Sequence, residues 1–188
     1  MLQEITSRRL SYALEILDLR GPILDVAREV SEMMRLEGIK GAVVGGVAVV
    51  LHGYLRTTRD VDVFCEEPLE ALGRHLTECG FQFDRERREF LRDDIPLHLV
   101  TLEQLVDRPR EIVQIERITT VSLADIIGMK LRSGTHNFLR AKDLGDAIGL
   151  IRYHQLTGEF AGKLEKSVRP AFRKVIKALK AEASGGAK

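Results

Sequence analysis

The stretch "GAVVGGVAVVLHGYLRTTRDVDVFCEEP", Gly41 to Pro68, constrains the fold more than any other part of the chain. A short apolar run, Ala42 to Val44, reads as a buried strand and ends in Gly45-Gly46. Gly46 to His52 reads as a helix ended by Gly53, and Asp60 to Phe64 as the next strand. Strand side chains alternate, so Asp60 and Asp62 share a face, roughly 6.5–7 Å apart along the chain. Two carboxylates held together repel unless water solvates them or a cation joins them. Hard dications such as Mg2+ take oxygen ligands and complete their shell with waters and phosphates. The pair suits one such ion, or two ions ~3.5–4 Å apart. A strand that ends in two glycines and enters a helix lets backbone N–H groups approach a phosphate. The alternative is an exposed edge strand with solvated aspartates and a turn-forming glycine pair. On the cation reading, exchanging both aspartates for asparagine relieves repulsion and leaves the metal-free protein as stable or slightly more so.

The remainder of the chain supplies a frame for this stretch. From Thr6 to Leu19, Leu10, Ala13, Leu14 and Leu17 fall at helical spacing, with Thr6 or Ser7 as the N-cap. Pro22 opens a second helix with Ile23, Ala27, Val30 and Met34 on one stripe, stopping at Gly38. Pro68 to Cys79 is a helix capped by Gly80, and Phe81 to Leu91 suits a hairpin. Ile95 to Thr101 alternates as a strand, with Pro96 favouring a sheet edge or a strand start. "EIVQIERI", residues 111 to 118, is ambiguous. Ser122 caps a helix stopping at Gly134, a second runs from Phe138 to Leu156, and a third is interrupted at Pro170 before the tail "SGGAK". The expected organisation is an N-terminal helical arm over residues 1–38, a mixed core over 39–120 and a C-terminal helical lobe over 121–188.

Composition excludes several classes. A net charge of +1 provides no global field toward nucleic acid. No apolar run approaches the ~20 residues of a membrane span, and "MLQEITSRRL" lacks the apolar segment of a secretory leader. Cys65 and Cys79 form no CxxC pair, so a reducing cytoplasm is expected, with no membrane partner.

"VVGGVAVVLHGYLRTTRDVDVF" resembles the signature of the nucleotidyltransferase superfamily, whose core is shared with DNA polymerase beta. The matching positions are Gly45, Gly46, Ala48, His52, Gly53, Arg56, Thr58, Asp60 and Asp62. The pattern is similar to that of small bacterial nucleotidyltransferase-like proteins near the abortive-infection toxins. "LADIIGMKLRSG" followed by "RAKDLGDAIGLI" is a second match, through Lys130, Lys142, Asp143 and Asp146. The resemblance runs from about Ile39 to Leu156. It implies an α+β minimal nucleotidyltransferase fold, a small mixed sheet flanked by helices. It implies a nucleoside triphosphate with its phosphates over Gly45 and Gly46 and near Arg56, Thr58 and Lys130. It implies Mg2+ or Mn2+ on Asp60 and Asp62, and transfer of a nucleoside monophosphate to an acceptor hydroxyl on tRNA or protein. A toxin–antitoxin setting with a toxin or antitoxin partner, and a homo-oligomer, are further expectations.

The chain departs from this pattern at one position. Most active members of the family it resembles carry a third carboxylate on a later strand, and "PLHLVT" puts His98 in that slot. Three readings stand: His98 is the base, Asp143 or Asp94 replaces the carboxylate, or catalysis is weak or lost. The last makes the chain a nucleotide-sensing or protein-interaction module. The five histidines show no zinc spacing, and His52 is expected to pack or hydrogen-bond near the Gly-Gly helix. The last helix carries Lys163, Lys166, Arg169, Arg173, Lys174, Lys177 and Lys180, as an RNA cradle or as the solvated side of a helix with Leu164, Val168, Phe172, Ile176 and Leu179 inward.

Overall fold

The computed structural model describes residues 7, 10–12, 14–66, 68–105 and 108–185. They form two compact units, residues 1–122 and 123–188. The architecture is α+β, built on a seven-stranded mixed sheet in the first unit. Of the expected first helix, Thr6 and Ala13 lie outside the described residues. Residues 10–12 and 14–15 are helical and run into a 3-10 turn, Ile16–Asp18.

Helix α1 (Pro22–Leu36) starts at its proline and buries Ile23, Leu24, Ala27, Val30 and Met34. The central strands β1 (Gly41–Val44) and β2 (Val61–Cys65) are antiparallel, with helix α2 (Gly45–Leu51) beginning directly on the end of β1. Val43, Val47, Val61 and Val63 join the α1 stripe in one hydrophobic core. Each such side chain, fully buried, contributes on the order of 1.5–3 kcal/mol. Helix α3 (Leu69–Glu78) ends at Gly80, whose φ of +89° is readily adopted only by glycine.

The expected hairpin is β3 (Gln82–Asp84) with β4 (Glu89–Arg92), and β5 (Ile95–Val100) follows. The sheet order is β3-β4-β5-β2-β1-β7-β6. β5 is therefore interior, antiparallel to β4 and parallel to β2, and not an edge. Pro96 sits second in the strand, so the strand-start reading holds. A one-turn helix α4 (Leu102–Leu105) precedes the ambiguous 111–118 segment. That segment contributes β6 (Ile112–Ile115) and the start of β7 (Ile118–Val121), joined by the two-residue turn Glu116-Arg117. β6 is a sheet edge, and its apolar residues Ile112, Val113 and Ile115 are exposed or half-buried, so they do not mark one buried face.

The second unit is helical. Helix α5 (Leu123–His136) runs past Gly134 instead of stopping there. A Cβ on Gly134 would lie 2.4 Å from the Leu144 backbone nitrogen, so this glycine serves the close approach of the next helix. A 3-10 turn, Phe138–Arg140, N-capped by Asn137, leads into α6 (Ala141–Tyr153). Two further 3-10 turns, Gly158–Lys163 and Lys166–Val168, precede α7 (Arg169–Gly185). Pro170 lies in the first turn of α7, where its missing N–H costs nothing, and does not interrupt it. Of the tail, Ser184 and Gly185 are helical and 186–188 lie outside the described residues. Leu164, Val168, Phe172 and Ile176 are buried, while Arg173, Lys174, Lys177 and Lys180 are exposed. No helix among the described residues is long and apolar enough to cross a membrane.

Candidate active site

The strand registers build the site. β2 and β5 pair with Asp62 opposite His98, and β1 and β2 pair with Val44 opposite Asp62. β4 and β5 pair Phe90 with Leu97, which brings Glu89 alongside His98. Asp60 is the last residue before β2, one position short of the strand expected for it. Its Oδ1 accepts a hydrogen bond from the buried Thr58 hydroxyl at 3.0 Å.

His98 is the hub. Its Nδ1 lies 3.3 Å from Asp62 Oδ1 and 3.6 Å from Asp60 Oδ2. Its Nε2 lies 3.0 Å from Glu89 Oε2. Ligand atoms of Asp60, Asp62 and His98 all fall within 4.8 Å of one another, the one metal-competent cluster among the described residues. The hydrogen bond to Asp62 raises the His98 pKa most; burial opposes it, and the Glu89 bond and the charges of Asp62 and Asp60 complete a rise to about 9. At neutral pH the ring therefore carries both protons and is the counter-ion of the two aspartates. Nδ1–H faces them and Nε2–H donates to Glu89.

The glycine pair has a steric reason. Gly45 takes φ +65°, and a Cβ there would lie 1.9 Å from Asp62 Oδ2. A Cβ on Gly46 would lie 2.4 Å from Thr58 Oγ1 and 3.0 Å from Arg56 Nη1. Gly46 is buried beneath those side chains, and Gly45 is half-buried. Arg56 Nη1 donates to the Thr57 carbonyl at 2.6 Å. His52 Nε2 donates to the Val121 carbonyl at 2.8 Å, a bond from the end of α2 to β7. Asp93 and Asp94 form the β4–β5 turn with positive φ, and Asp94 lies outside the metal-competent cluster.

Lys130, Asp143 and Asp146 come together in the helical unit. Lys130 Nζ lies 2.6 Å from Asp143 Oδ1 and 3.0 Å from Asp146 Oδ2, and its side chain is 10% exposed. Asp143 also accepts from the Ser133 hydroxyl at 2.5 Å and faces Arg140 Nε at 3.0 Å. Burial pushes the Asp143 carboxyl up, and the bonds from Lys130 and Ser133 with the charges of Lys130 and Arg140 outweigh it and hold it low. Lys142 is exposed.

Glu89 was not among the residues singled out in the sequence. It is an acid on a strand beside Phe90 and is buried, and only the β4–β5 register reveals its partner. The available signal was a carboxylate within a hairpin strand that otherwise reads Phe90 and Leu91.

No protein-family profile matches the chain, and no curated protein matches its sequence. Among solved structures it is similar to an antigenic nucleotidyltransferase-like protein from Paracoccidioides brasiliensis. That match has 16% identity and a TM-score of 0.58, over 85% of this chain and 89% of that one. A tRNA-processing enzyme in an apo form matches at 16% identity and TM-score 0.42, over 85% of this chain and 48% of that one. A tRNA nucleotidyltransferase complexed with a primer tRNA and an incoming ATP analog matches at 16% identity and TM-score 0.37, over 79% of this chain and 50% of that one. The first of these shares the fold of this chain.

Proposed function

We propose that this chain, whose fold is nucleotidyltransferase-like, moves a nucleoside monophosphate from a nucleoside triphosphate to an acceptor hydroxyl. The observation that carries this reading is the Asp60–Asp62–His98 cluster seated against the side-chain-free Gly45. The donor set fits a divalent cation. Two carboxylates and an imidazole converge from one side, and Gly45 leaves no Cβ to crowd Asp62. Asp60 and Asp62 would hold the cation, with His98 beside them.

When bound, the cation would neutralise triphosphate charge and polarise the phosphorus under attack. The chain's own residues supply position. Thr58 fixes Asp60, and the β1 and β5 pairings fix Asp62 between two strands. Arg56, half-buried over Gly46, offers a guanidinium to phosphate oxygens. Such chemistry rests mostly on positioning and charge neutralisation. The acceptor on tRNA or protein, a role of Lys130 at the triphosphate, a role of Asp143 in place of the third carboxylate, and a toxin–antitoxin setting rest on the sequence resemblance alone.

Isothermal titration with each of the four nucleoside triphosphates, in Mg2+ and in Mn2+, tests binding. Heat with at least one combination is expected. Silence from all of them, with the melting transition intact, would overturn the reading. A second reading is favoured by one feature: the His98 imidazolium already neutralises Asp60 and Asp62. On that reading the chain binds nucleotide or a partner protein without transfer. Label appearing on tRNA or protein from α-labelled triphosphate excludes it.

A further inference from the structure

Glu89 has no role in the transfer reading. Its side chain is only 10% exposed, yet it is a carboxylate. One oxygen, Oε2, accepts from His98 Nε2 at 3.0 Å. The other, Oε1, is buried without a hydrogen-bond partner and has Arg87 Nη1 no nearer than 3.7 Å. A buried acceptor left half-satisfied is costly. An apolar residue at this position between Arg88 and Phe90 would avoid that cost. The position is explained if the bond to His98 is what matters.

That bond has a definite consequence for the ring. A carboxylate accepts and cannot donate, so it holds the proton on Nε2. The lone pair of the neutral ring then lies on Nδ1, the nitrogen 3.3 Å from Asp62 Oδ1 and 3.6 Å from Asp60 Oδ2. Ligand atoms around one small cation sit about 3–3.5 Å apart when each is ~2.1 Å from the metal. A carboxylate that fixes a histidine by its far nitrogen is the usual outer partner of a metal-bound imidazole.

We propose that Glu89 is a positioning residue that presents His98 Nδ1, with Asp60 and Asp62, as the nitrogen ligand of a mixed nitrogen–oxygen cation site. The cation replaces the Nδ1 proton, which leaves to solvent. Imidazole nitrogen suits transition dications such as Mn2+ better than Mg2+, which prefers oxygen throughout. The site therefore takes Mn2+ in preference to Mg2+. This inference rests on the metal part of the transfer reading and adds the ligand, the residue that orients it and the metal class.

Two measurements on the full chain test it: calorimetric affinities for Mn2+ and Mg2+, and pulsed EPR of bound Mn2+ for nitrogen coupling from a directly bound imidazole. In wild type, Mn2+ binds at least tenfold more tightly than Mg2+ and shows the coupling. Glu89→Leu weakens Mn2+ about 10–100-fold, weakens Mg2+ by less than threefold and reduces the coupling. Glu89→Gln, whose amide oxygen still accepts from Nε2, restores most of the Mn2+ affinity. His98→Asp, which needs no support from Glu89, abolishes the coupling and narrows the Mn2+/Mg2+ ratio even if Glu89→Leu does not fold. Mn2+ bound without nitrogen coupling, or an equal loss of both metals in Glu89→Leu, overturns the inference and leaves the transfer reading standing. A wild type that binds neither metal, with or without triphosphate, overturns both.

Discussion

Asp60 and Asp62 are not two bare like charges. His98 lies between them and Glu89, and this reverses the expectation drawn from the pair alone. Neutralising both aspartates removes two negative charges from beside an imidazolium, and the relief of repulsion is secondary. Asp60→Asn with Asp62→Asn should therefore lower the metal-free melting temperature slightly. The loss is expected below about 1 kcal/mol, because the His98 and Asp60 side chains are each 37% exposed and water screens the pair. A melt that rises would restore the repulsion argument. The pH dependence follows from the same ring. Asp60, Asp62 and Glu89 face it directly, and Arg87 approaches Glu89. The folded pKa is raised from 6.5 to about 9, so the contribution to stability is complete below pH 6.5 and is lost as pH rises toward 9. Melts of wild type should lose stability across that window, and His98→Gln should lack this component. Two-dimensional NMR of the ring nitrogens gives the titration directly.

The hairpins and helix contacts were decided by details of backbone geometry. Glu116 and Arg117 both take positive φ, 50° and 65°, in the two-residue turn between β6 and β7. Such turns suit the twist of the flanking strands and favour glycine or asparagine. A left-handed non-glycine residue costs about 1–2 kcal/mol, and glycine's extra unfolded-state freedom offsets about 0.5–1 of that. Arg117→Gly is expected to stabilise the protein by about 0.5–1 kcal/mol, read as an upward shift in urea midpoint with an unchanged slope. Gly134 behaves in the opposite way. Alanine is the better helix former by about 1 kcal/mol. Its Cβ at this position would meet the Leu144 backbone at 2.4 Å. Gly134→Ala should therefore destabilise by about 1–3 kcal/mol through separation of α5 and α6. A neutral effect in the same denaturation experiment would show that the helices can shift at no cost.

Across the whole molecule, two compact units carry two different polar clusters. The sheet unit holds the His98 hub, and the helical unit holds Lys130 between Asp143 and Asp146. Removing one partner of a buried ion pair leaves uncompensated charge and costs about 3–5 kcal/mol. Ser133 and Arg140 remain on Asp143, so Lys130→Met should fall near the lower end. Hydrogen exchange should show the loss of protection in α5 and α6, with β1 and β2 amides still protected. Uniform loss of protection over both units would mean that they unfold together.

The local sequence determined more of the fold than of the chemistry. Apolar runs, helical stripes and terminating glycines are nearest-neighbour properties, and they placed α1, β1, α2, β2, α3 and the β3–β4 hairpin to within a residue or two. The Gly45-Gly46 pair and Asp60-x-Asp62 were readable for the same reason: one strand and one short helix set their spacing. The tertiary structure decided what depends on register and close approach. An interior β5 was hidden because Pro96 is compatible with an edge and only pairing on both sides shows otherwise. The edge strand β6 was hidden because its apolar pattern is half exposed. Glu89 reaches His98 from nine residues away through a hairpin register, and His98 reaches Asp62 from thirty-six residues away through a parallel pairing. Neither separation leaves a local signal, because a sheet sets such neighbours by hydrogen bonds between strands and not by position along the chain.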